Sequence, residues 1–122
     1  MAYTNTTAST APGWFSINTD SNTYGINATT IDVSLGMMDN YGLGTWDWTM
    51  NLQRWNGKTY EPLLSYSFTG YVSETSSSHR SFNISKACPT SGSYRVVAYL
   101  RPRLSGFKNV YMYTTAFKVS RL

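Results

Sequence analysis

Cysteine occurs once in the 122 residues and histidine once, and charged side chains make up only 13%, against roughly 25% in an average soluble domain. A lone cysteine, Cys88, leaves no intrachain disulfide and excludes a cysteine-based zinc site. The lone histidine, His79, sits in the serine run SSSHR, where Glu74 and Ser76 to Ser78 are neighbours in sequence only. A nucleophilic triad needs a base, an orienting carboxylate and an activated nucleophile brought together, and nothing here supplies them. No pair of carboxylates suited to glycoside hydrolysis stands out. The chain therefore reads as noncatalytic, with no cofactor expected. Asp20, Asn22 and Gly25 match part of a calcium loop, but Tyr24 and Ile31 occupy positions that need oxygen ligands. That stretch is more simply a turn.

Lys and Arg are absent from the first 53 residues, which carry Asp20, Asp32, Asp39 and Asp47 and a charge of −4. The remainder holds all ten basic residues against Glu61 and Glu74, giving +8. Such asymmetry bears on association rather than on fold. It favours an anionic partner or attraction between copies, unless strands of the two halves interleave and mix the charges. Nucleic acid is the weaker partner class, because no four-residue window holds more than two basic residues and the front half would repel phosphates. No apolar run approaches the roughly 20 residues of a membrane span, and no signal-peptide pattern is present. The triplets at Asn5, Asn27 and Asn83 fit the glycosylation acceptor pattern.

What is present is aromatic and hydroxyl-rich: ten tyrosines and four tryptophans, with a Ser/Thr/Asn/Tyr surface that suits an exported protein, extracellular or at the cell surface. Residues 1–13 read as a flexible polar arm ended by Pro12-Gly13, and residues 14–122 as one domain. Seven strands are predicted in that domain, at 14–18, 26–35, 45–55, 63–72 (reached through the return KTYEP), 80–85, 93–101 and 109–119. The third is the clearest: Trp46, Trp48, Met50 and Leu52 alternate with Asp47, Thr49, Asn51 and Gln53, the period of a half-buried strand. Asn56-Gly57 suits a two-residue hairpin turn. Pro62 confines the return strand to an edge, and Gly70 suggests a bulge. In the last strand both parities carry apolar residues, so its register stays open. No helical periodicity appears, and the domain is all-β.

The segment from Phe82 to Val96 sharpens this. Inward Phe82 and Ile84, a small apolar plug at Cys88, Ser91-Gly92, and Tyr94 opening the next strand resemble the E-to-F corner of immunoglobulin-like and fibronectin-like domains. The resemblance implies a seven-stranded antiparallel two-sheet sandwich in which the Tyr94 hydroxyl bonds back to the corner backbone. Val96 stands where antibody domains carry a cysteine. It also implies that the loops after the second and sixth strands meet at one end.

Two candidate binding regions follow. The first is the tip made by residues 36–44, with Met37, Met38, Tyr41 and Leu43, and residues 101–109, with Arg101, Arg103, Phe107 and Lys108. Methionines and aromatics rimmed by arginine suit an interaction surface, although Met37 and Leu43 could instead close the end of the core. The second is the outer face of the sixth strand, where Arg95, Tyr99 and Arg101 join Asn51 and Gln53, with Tyr111 and Tyr113 beside them. Two function classes are carried forward. One is a module that binds a surface, glycan or protein partner. The other is a self-assembling structural subunit whose N-terminal arm adds a strand to a neighbouring copy.

Overall fold

A computed structural model describes residues 4–6, 14–37 and 42–122 of the chain. Among these residues there are ten strands and one helical turn: β1 (Thr4–Thr6), β2 (Phe15–Thr19), β3 (Thr23–Tyr24), β4 (Thr30–Met37), β5 (Trp46–Trp55), β6 (Tyr60–Val72), β7 (Ser78–Asn83), α1 (Ile84–Ala87), β8 (Gly92–Pro102), β9 (Val110–Thr114) and β10 (Phe117–Val119). They form two sheets around one core. A small sheet has the order β2-β4-β7; a large one runs β6-β5-β8, with β9 and β10 sharing the far edge of β8 and carrying β1 and β3 outside them. The fold is all-β and sandwich-like. No helix among the described residues is long and apolar enough to cross a membrane.

Alternation explains the core. Trp46, Trp48, Met50 and Leu52 of β5, and Tyr94, Val96, Ala98 and Leu100 of β8, are buried against Ile31, Val33 and Leu35 of β4 and Phe82 of β7. Trp48 ties the sheets together. Its indole N–H donates to Ser78 Oγ on β7 (3.0 Å), and Ser78 in turn donates to the Tyr71 carbonyl (2.7 Å). A buried indole needs such a partner, since an unmet donor costs more than the bond itself contributes. Ser78 thus belongs to a strand and to the core, not to the loop that serine-rich composition suggests. Cys88 is fully buried, and burial pushes its thiol up to about 12.

The expectation of seven antiparallel strands is corrected in particulars. β1 and β3 are additional, and β3 pairs parallel to β10, Thr23 facing Lys118. The last predicted strand is two, β9 and β10, and the break accounts for its mixed parity: even residues are buried through Thr114, odd residues from Phe117. At the break the Val96 N–H donates to the buried Thr114 Oγ1 (3.1 Å), a side-chain acceptor in place of a ladder carbonyl.

The Asn56-Gly57 hairpin is present, but its loop spans four residues, closing at Trp55 and Tyr60. The Asn56 side chain accepts from the Lys58 and Thr59 N–H groups, and Gly57 takes φ 98°, a conformation that costs glycine little. β6 is an edge strand, as Pro62 requires. Its irregularity lies opposite Asn51 and Leu52 rather than at Gly70. Gly70 instead gives way to Trp48: a Cβ there would stand 2.6 Å from the indole ring.

Past β7, Asn83 caps α1 by accepting from the Lys86 N–H. The Tyr94 hydroxyl donates to the Thr90 carbonyl at 2.7 Å, the bond expected at this corner. Thr4–Thr6 pairs with the chain's own β9, Thr4 facing Thr114 and Thr6 facing Met112.

Candidate functional site

The two loops of the predicted tip do meet. The Arg103 N–H donates to the Thr45 carbonyl (3.1 Å), and Leu104 packs against Gly44. Three of their apolar residues, Leu43, Phe107 and Met37, nevertheless pack on the core. Leu43 is 1% exposed and its carbonyl accepts from the Trp46 indole. Phe107 packs edge-on to Trp14 (5.6 Å) and against Trp46 (5.9 Å), and Met37 lies partly buried on the core. Met38 and Tyr41 lie outside the described residues. Among the larger described side chains of the tip, Arg103, Leu104, Lys108 and Asn109 are exposed.

The sheet face is different. On the outside of the large sheet, pairing places Gln53 beside Arg95, Asn51 beside Val97, Thr49 beside Tyr99 and Asp47 beside Arg101. Across β8, Tyr113 stands beside Val97 and Tyr111 beside Tyr99. Across β5, Ser67 stands beside Asn51, Thr69 beside Thr49 and Tyr71 beside Asp47. Every residue predicted for this face is on it.

Ring and guanidinium stacking orders the face. Arg95 lies between Tyr60 and Tyr113, its Cζ 4.1 and 4.3 Å from the two ring centres, and its Nε donates to Gln53 Oε1 (2.7 Å). Tyr99 and Tyr111 stack at 4.5 Å, and Arg101 approaches Tyr99 at 5.3 Å while donating to Thr49 Oγ1 (3.2 Å). The Tyr99 hydroxyl accepts from Asn109 (2.7 Å). Arg103 reaches over Tyr71 and forms a two-point pair with Asp47, at 2.8 and 3.1 Å. The Arg103 hydrogen bond holds the Asp47 carboxyl below the usual carboxylate range, and Asp47 raises Arg103 in turn. Arginine stacked on a ring keeps its planar fork in a fixed direction.

Between these stacks runs a strip of short polar side chains, Thr49, Asn51, Ser67 and Thr69. Tyr60 and Tyr71 stand at its two ends, and Arg95, Tyr99 and Arg101 form one side. Asn51 and Thr69 spend no side-chain hydrogen bond on other described residues. Tyr71 and Tyr111 remain 54% and 53% exposed. Sequence reading missed Tyr60, Tyr71, Thr49, Ser67 and Thr69. The signal was available for two of them: Thr49 shares the parity of Asn51 and Gln53 in β5, and folding the chain back at Asn56-Gly57 puts Tyr60 opposite Trp55 on the parity of Gln53.

The rest of the surface supplies less. His79 joins Ser34 Oγ through Nδ1 (3.0 Å) and Ser77 Oγ through Nε2 (3.4 Å). A hollow of about 410 Å³ beside it is lined by Gly70, Tyr71, Arg80 and the serines 76 to 78. No group of three or more His, Cys, Asp or Glu side chains among the described residues is arranged to hold a metal. The charges of the two halves do mix: Asp47 from the acidic half pairs with Arg103 from the basic half. No protein-family model matches the chain, and no curated protein matches it.

Proposed function

We propose that the chain is an exported, noncatalytic module of the immunoglobulin-like sandwich type that binds a glycan across the outer face of its large sheet. The sandwich type is supported by the Tyr94–Thr90 corner bond and by the division of strands into β2-β4-β7 and β6-β5-β8 with their edges. One observation carries the binding reading: the strip of Thr49, Asn51, Ser67 and Thr69 is flanked by stacked arginines and ended by Tyr60 and by the half-exposed ring of Tyr71. Short polar floors and amphipathic rings meet sugar hydroxyls and sugar faces together. A protein partner would ask for an apolar centre, and Val97 is the only aliphatic side chain among the β5 and β8 residues of this face.

A glycan array with Tyr99→Ala and Tyr71→Ala variants tests this. Wild-type binding lost in both variants supports the site. Binding unchanged in both removes it.

A second reading, assembly of copies, is favoured by one feature. The Thr4–Thr6 ladder on β9 is a strand addition that a neighbouring copy's arm could supply in the same register. Deleting residues 2–12 abolishes higher oligomers in gel filtration under this reading. The elution volume stays that of a monomer, before and after deletion, if it is wrong.

A further inference from the structure

The glycan-binding reading leaves the class of sugar open, and the charges on the face close it. Among the described residues, the strip and its flanks carry Arg95, Arg101 and Arg103 against a single carboxylate, Asp47, and no lysine. Asp47 is committed to Arg103, the one ion pair among the described residues. Among the described residues no carboxylate is bonded to Arg95 or Arg101: each gives one nitrogen to a neutral side chain, Nε to Gln53 and Nη1 to Thr49. Two positive groups are therefore held at fixed places with donors left over.

They are also held in one orientation. Arg95 is clamped between two rings and Arg101 lies against a third. Stacking removes much of the side-chain freedom that binding would otherwise have to remove, and a planar guanidinium fixed by a ring matches the two oxygens of a carboxylate. Along β8 the two residues are six positions apart, about 20 Å at the rise of a strand. The strip between them, with Asn51 and Thr49 on either side of its midpoint, is lined by hydroxyl and amide groups. A ligand that fills this face is extended, rich in hydroxyls, and carries planar anions at intervals.

We infer that the large-sheet face binds a linear polysaccharide of uronic acid units, its carboxylates meeting Arg95 and Arg101 and its hydroxyls meeting the Thr49–Asn51 strip. The inference rests on the glycan reading above.

The full chain is titrated by calorimetry with polygalacturonate, with the same polymer fully methyl-esterified, and with a sulfated glycan such as heparin, each at low and high salt. Polygalacturonate is expected to bind, with affinity falling as salt rises. Esterification, which removes the charge and keeps the hydroxyls, is expected to weaken binding at least about tenfold, and Arg101→Gln and Arg95→Gln by about tenfold each. Arg101→Lys keeps the charge without the fork and is expected to recover less than half of that loss in binding energy, while thermal melting shows every variant folded.

Equal binding of acid and ester, without salt dependence, overturns the uronate inference and leaves glycan binding standing. Stronger binding of the sulfated polymer overturns the commitment to carboxylate. Binding to none of the polymers overturns this inference, and a blank glycan array beside it overturns the glycan reading as well.

Discussion

The outer faces of the two sheets are built on the same kind of backbone, yet they carry different chemistry. The small sheet presents Ser16, Asn18, Asp20, Thr30, Asp32, Ser34, His79, Ser81 and Asn83, with no Phe, Tyr or Trp among its described outward residues. Several of its polar groups satisfy one another: Ser81 donates to Asp32 (2.6 Å), Ser34 meets His79, and Asp20 accepts from the Asp32 N–H (3.2 Å). The large sheet presents five tyrosines and three arginines in stacks. The small sheet shows that an outer face of this fold can be built without tyrosine, tryptophan or arginine. Long rings and guanidinium groups on the other face cost side-chain entropy to order, and folding alone does not call for them. That difference is why we propose the large sheet as the working surface.

Changes on the shared inner faces should damage both surfaces together. Trp48→Ala removes a fully buried indole and the bond that joins β5 to β7. It should lower unfolding free energy in urea by about 3–5 kcal/mol. Gly70→Ala drives a Cβ into the Trp48 ring from β6 and should cost about 1–3 kcal/mol in the same measurement. Because β6 belongs to the large sheet, chemical shifts should move more on that face than on β2 and β4. Tyr94→Phe deletes only the corner hydroxyl and should cost about 0.5–1.5 kcal/mol.

On the outer faces, stability and binding should separate. Tyr99→Ala removes a stacked ring pair of a kind worth about 0.5–1.5 kcal/mol and should abolish glycan binding. Ser81→Ala, on the small sheet, should leave binding unchanged. The smallest effect is expected from Asp47→Asn. Its exposed pair with Arg103 lowers the Asp47 pKa, so any stability it adds is present above the ordinary carboxylate range. That contribution is lost as pH falls through the depressed folded value. The difference in melting temperature between Asp47→Asn and wild type should be slight at neutral pH and vanish in acid.

Much of the core and half of the face were legible in the residues. Strict alternation in β5 and β8 fixes which side chains point outward, so Asn51, Gln53, Arg95, Tyr99 and Arg101 follow from parity alone. Local turn chemistry marks the Tyr94 corner. What stayed hidden depends on registers set by tertiary structure. The slip opposite Asn51 and Leu52 changes the parity of β6 part-way, which conceals that Tyr60 and Tyr71 share a face. The parity switch between β9 and β10 is fixed by β8, against which both strands pair. Leu43 and Phe107 looked like a loop tip because loop composition says nothing of burial; Trp46 draws both inward.

The central claim is that the outer face of the large sheet is the ligand surface. Titrating isotope-labelled protein with an oligogalacturonate and following amide and side-chain shifts tests it directly. Perturbations should cluster on Thr49, Asn51, Gln53, Arg95, Tyr99 and Arg101 and spare Asp20, Asp32 and His79. Shifts confined to the small sheet would contradict it.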